Sequence, residues 1–207
     1  MKLLCSRDRH YPLASEVIEM LKSTPLIQSV WPQFVALFGG EEGGCGGCWC
    51  TWWRMSRKEW YQHTKVDRLA VMESLVASGE PTGILLLNEE EAEGWCAVAP
   101  MSSYPTMARS RVCYPIDETP AWYISCVFIK APYRRQGKME KLIYEAAEYA
   151  FSQGAPAVDG FPQLSGRTGT FVDRFVGVEG SFLRAGFKRV EARGEHRVAV
   201  RKVRPTC

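Results

Sequence analysis

The residues with the clearest chemical potential form a short basic turn, Arg134-Arg135-Gln136-Gly137-Lys138-Met139. Two arginines and a lysine supply positive charge, and Gly137 lets the backbone approach a ligand without a Cβ in the way. If a helix begins here, its first amides lack partners within the helix and carry partial positive charge. The turn is therefore suited to a diphosphate. A solvated basic helix start is the alternative, and the turn alone does not separate the two.

The flanking segments place this turn between a strand and a helix. Residues 121–129 form a nearly continuous apolar run rich in β-forming residues, as expected of a central strand covered on both faces. From Met139 to Ala150 the apolar residues recur at helical spacing, and Gly154 lies beyond them as a stop signal. The unit therefore reads strand, basic turn, helix.

The N-terminal part of the chain is predicted to be helical, over residues 16–21 and 32–38. We treat residues 1–44 as an N-terminal helical extension and residues 45–207 as the main domain. Such an extension could cover an acceptor cleft or form a homodimer contact, and the sequence does not decide between them. The aromatic-rich residues 48–54 are predicted to form the first strand.

The segments that follow alternate between helix and strand patterns. Capping-box spacing at Ser56 to Glu59 starts a predicted helix that runs to Gly79. Residues 83–87 and 94–99 predict a β-hairpin, and the acidic residues 88–93 between them are expected to form its solvated turn. Residues 101–121 show no periodicity. They are kept as a candidate for the acceptor side of a site.

The spacing of Cys45, Cys48 and Cys50 is the second chemically suggestive pattern, because two thiolates in C-x-x-C can share one metal ion. A fourth ligand is missing, since the histidines are remote and Cys5 and Cys113 have no motif spacing. A Gly-rich turn with structural cysteines is therefore the favoured interpretation, and no metal is predicted. A working thiol or metal module stays open as an alternative.

Composition narrows the class of protein. Hydrophobic residues make up 46% and charged residues 24% of the 207 residues, as in ordinary globular domains. The net charge of +3 is small and spread along the chain, so no nucleic-acid partner is expected. No apolar run is long enough to span a membrane, and no signal peptide is evident, so we expect a cytoplasmic protein with reduced cysteines and no membrane partner.

Residues Ile129 to Gly137 resemble the strand-to-helix segment of the GNAT acyltransferase superfamily, in which Arg134 and Gly137 match the cofactor turn. Met139 occupies its last small position. The order of elements over residues 48–203 also resembles the family: residues 156–161 read as a buried strand, residues 182–187 resemble its closing helix and Gly-Phe, and residues 187–191 and 197–203 form a terminal hairpin.

The resemblance implies an α/β fold with a mixed, mostly antiparallel central sheet, flanking helices and a V-shaped cofactor cleft. It implies an N-acetyltransferase that moves an acetyl or short acyl group from acetyl-CoA or another acyl-CoA to an amine of a small molecule or peptide. The pantetheine arm would lie against the first strand of the cleft, and the diphosphate on the turn. The implied cofactor-binding residues are Val127, Phe128, Ile129, Arg134, Arg135, Gln136, Gly137, Lys138 and Met139.

The catalytic groups are less clearly indicated. The family's usual acid is a tyrosine at the position of Phe182, which cannot donate a proton, so solvent, Ser181 or Tyr123 would have to serve. Asp159 and Glu179 are the candidate bases. Their alternatives are a strand-end hydrogen-bond acceptor and a solvated helix residue, respectively.

The acceptor is expected to enter between residues 101–121 and 162–174. Since Phe182 replaces the tyrosine, a non-catalytic acyl-CoA-binding regulator is a second hypothesis for the whole chain.

Overall fold

The computed structural model describes residues 21–40, 43–89, 91–107, 109–164 and 175–205. The predicted helix over residues 16–21 lies outside this range except for Leu21, which is not helical. Most of the predicted acceptor segment 162–174 also lies outside it.

One seven-stranded sheet organises the chain, in the order β1-β2-β3-β4-β5-β7-β6. Strand β4 pairs with β5 in parallel, and the other neighbours are antiparallel. The mixed, mostly antiparallel sheet flanked by helices confirms the predicted fold class. The strands are β1 (Lys22–Pro25), β2 (Ile84–Asn88), β3 (Glu91–Pro100), β4 (Trp122–Ile129), β5 (Ala157–Gly160), β6 (Lys188–Arg193) and β7 (Arg197–Val203).

Six α-helices are present in the part of the chain that the structure describes. The longest, α5, follows the basic turn and buries its apolar stripe against β3 and β4, as its periodicity predicts. The helices are α1 (Trp31–Leu37), α2 (Gly44–Gly47), α3 (Arg57–Gln62), α4 (Lys65–Ala77), α5 (Lys138–Ser152) and α6 (Glu179–Arg184).

The helical expectation for the N-terminal residues is wrong at Lys22–Pro25, which forms β1 at the edge of the sheet. The edge of β2 offers a row of unpaired backbone groups, and pairing with it satisfies them. Leu21 and Leu26 are buried on either side of this short strand. The predicted helix over residues 32–38 is confirmed as α1, with Pro32 in its first turn.

The predicted strand over residues 48–54 is also wrong. Turns that follow the short helix α2 occupy this region, and Trp49 and Cys50 have φ values of 46° and 54°, which an extended strand does not allow. Packing explains the difference: the ring of Trp49 lies 5.9 Å from Phe34 and 5.7 Å from Phe38, centroid to centroid. The aromatic residues therefore serve a core beneath the sheet instead of a strand.

The predicted helix from residue 56 to Gly79 is divided into α3 and α4. The capping box at Ser56 and Glu59 is present as predicted, but a second one at Thr64 and Asp67 starts a new helix. His63 ends α3 in an extended conformation, because the second cap recruits the backbone of Thr64.

The hairpin of β2 and β3 is confirmed, whereas its acidic residues are not all in a solvated turn. Glu91 and Glu93 belong to β3, and Glu93 is buried. Its carboxylate pairs with the ammonium of Lys138 at the start of α5. A buried carboxylate needs such a partner, and the partner is distant in sequence. The prediction of a fully solvated loop is therefore wrong at Glu93.

Candidate active site

A cleft opens in the sheet because β4 and β5 pair over only three residues each. The parallel register joins Trp122–Ile124 to Val158–Gly160 and then stops. At this point β4 carries a bulge: Ala97 faces Cys126 and Val98 faces Ile124, so Ser125 is the extra residue. A bulge increases the local twist and bends its strand, which turns the rest of β4 away from β5.

The backbone of β4 beyond the bulge faces this opening. The amide of Lys130 donates to the carbonyl of Glu93 at 2.9 Å, and hydrogen-bonded pairs alternate along an antiparallel ladder. The backbone N–H and C=O groups of Phe128 therefore point toward Trp95 on β3. Those of Val127 and Ile129 point the other way, into the cleft. The Ile129 carbonyl accepts a bond from Nε of Arg134 at 2.8 Å.

The start of α5 closes one end of the cleft. Gly137 is its N-cap residue with φ of 74°, a left-handed conformation that favours glycine. No side chain caps this end, so the first amides of a 15-residue helix remain available to an anion. Arg135 also has a positive φ, 62°, and such non-glycine residues cluster at binding sites.

These groups line one cavity of about 490 Å³. All the predicted cofactor-binding residues line it except Gln136, whose exposed side chain donates to the carbonyl of Pro132. The cavity also receives residues from α6 and the segment before it. The lining residues are Val127, Phe128, Ile129, Tyr133, Arg134, Arg135, Gly137, Lys138, Met139, Glu140, Phe175, Val178, Ser181 and Arg184.

The ammonium of Lys138 does not supply free charge to this cavity. It is buried, paired with Glu93, and lies 4.6 Å from the centre of the Tyr133 ring. Its charge is thus matched by a carboxylate inside the protein. The exposed guanidinium of Arg135 and those of Arg134 and Arg184 are the remaining cations of the lining.

Helix α6 confirms the predicted closing helix and places Phe182 in the core. The Phe182 ring is fully buried and contacts Phe187 edge-on, with centroids 5.1 Å apart. A Cβ on Gly160 would lie 2.5 Å from this ring, so the β5 backbone is packed directly against it. The neighbouring Ser181 is the α6 hydroxyl that lines the cleft.

The three predicted catalytic residues do not line the cofactor cleft. Tyr123 is buried, its hydroxyl donates to Sδ of Met101 at 3.2 Å, and burial raises its pKa. Asp159 accepts two bonds from Arg201, at 2.6 and 2.9 Å. Burial raises the pKa of Asp159, and Arg201 opposes that shift.

Glu179 begins α6 and is largely buried. Its carboxylate lies 3.4 Å from the guanidinium of Arg189. Both predicted bases thus have arginine partners.

A second cavity lies on the other face of β4, and sequence reasoning missed it. It has a volume of about 320 Å³, and we call it the inner chamber. Phe128 and Phe175 line both the inner chamber and the cofactor cleft, so the two spaces meet at these rings. The chamber is lined by Phe38, Cys48, Cys50, Trp52, Trp53, Trp60, Ser125, Cys126, Phe128, Phe175, Val176 and Arg197.

A wider cavity of about 750 Å³, the outer cleft, shares Trp52, Trp53 and Trp60 with the inner chamber. Residues of the aperiodic segment 101–121 form its far side, and their acceptor-side role stays a prediction. The outer cleft is lined by Trp52, Trp53, Met55, Arg57, Trp60, Thr106, Arg109, Ser110, Arg111 and Val112.

Three thiols form a row beside the inner chamber. The Cys48 thiol donates to Cys50, and this bond together with burial raises the pKa of Cys48. Cys50 in turn donates to Cys126, and this bond raises the pKa of Cys50. The sulfur of Cys50 also accepts a hydrogen bond from the indole N–H of Trp95 at 3.1 Å. Within the described ranges no group of three or more His, Cys, Asp or Glu residues is arranged to hold a metal ion.

These thiols predict a loss of stability in alkali. Burial raises the pKa of Cys96 and Cys113 as well, so the folded protein keeps four thiol protons that the unfolded chain releases above about pH 8.5. The unfolded state then binds fewer protons. Stability is therefore complete below that pH and falls above it, by on the order of 1 kcal/mol per thiol and pH unit.

Urea unfolding at pH 8 and pH 9.5 measures this slope. Cys96→Ala serves as the control: whatever its effect on absolute stability, it should reduce the slope by the share of one thiol. A free energy of unfolding that is unchanged between the two pH values would contradict the protonated state of these four thiols.

Together, a splayed sheet, an uncapped helix start and a cleft between them define a mixed α/β protein with the fold of an acetyltransferase. The model of the acetyltransferase (GNAT) family matches residues 47–161, more than half of the chain. The chain belongs to this family, as the resemblance of the turn and the closing helix predicted.

Solved structures agree with this fold. A GNAT-family acetyltransferase from Streptococcus agalactiae is 11% identical, with a TM-score of 0.51 over 90% of this chain and 96% of that chain. A ribosomal-protein-alanine N-acetyltransferase from Brucella melitensis is 13% identical, with a TM-score of 0.49 over 88% and 99%. The PaiA N-acetyltransferase of Thermoplasma acidophilum, solved with coenzyme A, is 11% identical, with a TM-score of 0.49 over 89% and 99%.

A search of curated protein sequences gives no match. Among the helices of the described residues, none is both long and apolar enough to cross a membrane.

Proposed function

We propose that the protein transfers an acetyl or short acyl group from acyl-CoA to an amine. The observation that carries this proposal is the separation of β4 from β5 beyond Ile124, directly beside the uncapped start of α5. A chain that lies along β4 can bond to its free backbone groups while an attached diphosphate meets the helix amides. Acyl-CoA has both parts in this order.

The cofactor contacts divide between backbone and side chains. The backbone groups of Val127 and Ile129 would hold the pantetheine arm, and the amides that follow Arg135 would hold the diphosphate. Arg135 adds an exposed cation at the same place. The thioester then lies near Phe128, where the cofactor cleft meets the inner chamber.

The reaction joins the two spaces. The lone pair of a neutral amine in the inner chamber attacks the thioester carbon, so a C–N bond forms first and the C–S bond breaks afterwards. Electrons pass first to the carbonyl oxygen, where the Val127 amide can donate a hydrogen bond, and then to the leaving thiolate. The amine loses one proton in the process, to solvent or to a base.

No carboxylate is among the residues that line the inner chamber. Apolar surroundings disfavour an ammonium, so an amine that enters the chamber does so more readily in its neutral form. This environment replaces part of the work of a general base. Of the two candidate bases, Glu179 remains the one we favour, because the adjacent residue Val178 lines the cofactor cleft. The carboxylate of Asp159 is held by Arg201.

Ser181 is our choice for the group that meets the departing thiolate, because it is the α6 hydroxyl in the cleft while Phe182 is buried. A hydroxyl hydrogen bond to a charged sulfur contributes about 1.5 kcal/mol, so Ser181→Ala should lower kcat by roughly tenfold.

Calorimetric CoA affinity of Ser181→Ala should stay within about twofold of wild type, since the hydroxyl acts mainly on the thiolate as it forms. Ser181→Thr, which keeps a hydroxyl, is the matched control. A kcat unchanged in Ser181→Ala would remove Ser181 from the mechanism.

The activity is tested with purified protein, acetyl-CoA and a panel of primary amines, with mass spectrometry of the acetylated product. Direct product detection avoids thiol reagents, which would also react with the protein's own cysteines. Acetylated amine above the uncatalysed rate supports the proposal. Acyl-CoA binding with no product from any amine would favour the non-catalytic regulator, for which the burial of Phe182 at the position of the family acid is the supporting observation.

A further inference from the structure

We infer that the acceptor is an amine that carries both an aromatic ring and an acidic group, a carboxylate or a phosphate. This inference rests on the proposed acyl transfer and names the acceptor class of the same site. It is drawn from the two connected cavities on the face of β4 opposite α5.

The inner chamber selects the part of the acceptor next to the amine. Aromatic rings from four separate segments of the chain line it, among them Phe38, Trp52, Phe128 and Phe175. Its volume of about 320 Å³ is that of a small ligand pocket. Flat rings stack against such walls, whereas a flexible polar chain would lose water without a replacement.

One buried hydroxyl in the chamber has an unused bonding capacity. Ser125 is 4% exposed, and its Oγ has no partner at hydrogen-bond geometry within the described residues, although the equally unpartnered Tyr104 hydroxyl is nearby. A buried polar group without a partner is costly. Ser125 sits at the bulge of β4, two residues before Val127. Its Oγ can accept an N–H of a neutral amine near the thioester.

The outer cleft selects the distal part of the acceptor. Arg57, Arg109 and Arg111 line it, and all three are exposed. No ion pair joins any of them to a carboxylate of the described residues, and no Asp or Glu is among the lining residues. Three arginines without an internal counter-charge favour an anion, and guanidinium groups bind carboxylate and phosphate alike.

The tryptophans that line both cavities connect the inner chamber with the outer cleft. Trp52, Trp53 and Trp60 border both cavities, so one ligand can place a ring among them and reach from Ser125 to the arginines. The Trp52 and Trp60 rings meet edge-on with centroids 4.9 Å apart, which fixes this wall. The acceptor therefore has its amine at one end, a ring in the middle and its acid at the other end.

A set of four amines separates the two features. 4-(2-Aminoethyl)benzoate has both ring and acid, 2-phenylethylamine has only the ring, 6-aminohexanoate has only the acid, and butylamine has neither. We expect kcat/KM to be highest for the first, about tenfold or more above each single-feature amine, the effect of one charge-assisted bond or one stacked ring. 4-(2-Aminoethyl)phenyl phosphate, assayed beside the benzoate, decides between phosphate and carboxylate.

Variants assign the effect to the cleft. In Arg109→Ser/Arg111→Ser the preference for 4-(2-aminoethyl)benzoate over 2-phenylethylamine should fall at least about tenfold. Lys188→Ser/Arg204→Ser makes the same change in net charge at two exposed positions that line neither cavity, and there the preference should persist. Equal loss in both double variants would show a general charge effect and overturn the assignment.

Binding gives a readout that does not depend on turnover. Quenching of tryptophan fluorescence by 4-(2-aminoethyl)benzoate, in the presence of CoA, should saturate and should weaken in Trp60→Leu. Two results would overturn the inference and leave the proposed function standing. One is a kcat/KM for butylamine equal to that for 4-(2-aminoethyl)benzoate. The other is that the ring-bearing amines neither react nor quench the fluorescence although acetyl-CoA binds. Absence of acetyl-CoA binding would instead refute the proposed function, and the inference would fall with it.

Discussion

Replacing Glu93 with alanine is expected to lower the free energy of unfolding by about 3–5 kcal/mol, the largest effect of any single change considered for this chain. The carboxylate and the Lys138 ammonium are both almost inaccessible to solvent. Alanine at position 93 would leave a buried cation without its carboxylate, and among the described residues the remaining favourable contact of the ammonium is the Tyr133 ring. Urea unfolding with a two-state analysis measures the difference.

Glu91, two residues before Glu93 on β3, provides a matched control. Glu91 pairs with Lys130, which directly follows β4, but both side chains are substantially exposed, so Glu91→Ala should cost no more than about 1 kcal/mol. The double variant Glu93→Leu/Lys138→Met removes both charges and should recover most of the stability lost in Glu93→Ala. If Glu91→Ala and Glu93→Ala had equal effects, the pair would not be buried as described.

Replacing Gly137 with valine is expected to weaken CoA binding by at least about tenfold, measured by calorimetry. A φ of 74° is strained by about 1–2 kcal/mol for an ordinary residue and more for a β-branched one. Relief of this strain would rotate the first peptide groups of α5, whose amides are the proposed diphosphate ligands. The loss of CoA affinity would arise because these backbone amides no longer point at the diphosphate.

Gly154→Val is the control for this variant. Gly154 follows the other end of the same helix with φ of 90°, and nothing lies within 4 Å of the position of its Cβ. The backbone strain is thus comparable, while the site is a helix length away. Gly154→Val should lose stability and keep its CoA affinity, whereas unchanged affinity in Gly137→Val would separate the turn from the cofactor.

The part of the site that depends on local chain order was predictable from the sequence. The basic turn between an apolar strand and an amphipathic helix is one continuous stretch, and the structure places β4, Gly137 and α5 as that pattern indicates. Gly137 was interpreted as allowing close approach to an anion. The structure adds its left-handed φ as a second reason for glycine at this position.

What escaped prediction depends on residues brought together from a distance. Lys138 looked like a phosphate ligand because Glu93 is remote along the chain, and Glu93 looked like part of a solvated turn for the same reason. Residues 48–54 have strand-like composition, but their rings are needed to fill the space beneath β3 and β4. The inner chamber follows from that packing.

The bulge at Ser125 was hidden for a different reason. A continuous apolar run predicts a central strand but gives no register, and one extra residue exchanges the faces on which the following side chains lie. Ile124 and Val127 consequently pack toward α5, while Cys126 and Phe128 face the chamber. A period-two pattern would have placed Ile124, Cys126 and Phe128 on one face.

The central claim is that the start of α5 grips a diphosphate, and a calorimetric comparison of CoA with pantetheine tests it directly. Pantetheine has the arm that lies along β4 but lacks the diphosphate and the 3′-phosphoadenosine beyond it, and Gly137→Val, which disturbs the helix amides, should bring the two affinities closer. We predict that CoA binds at least about a hundredfold more tightly, equivalent to roughly 2.7 kcal/mol from the helix amides and arginines. Equal affinities for the two ligands, or no binding of CoA, would contradict the account.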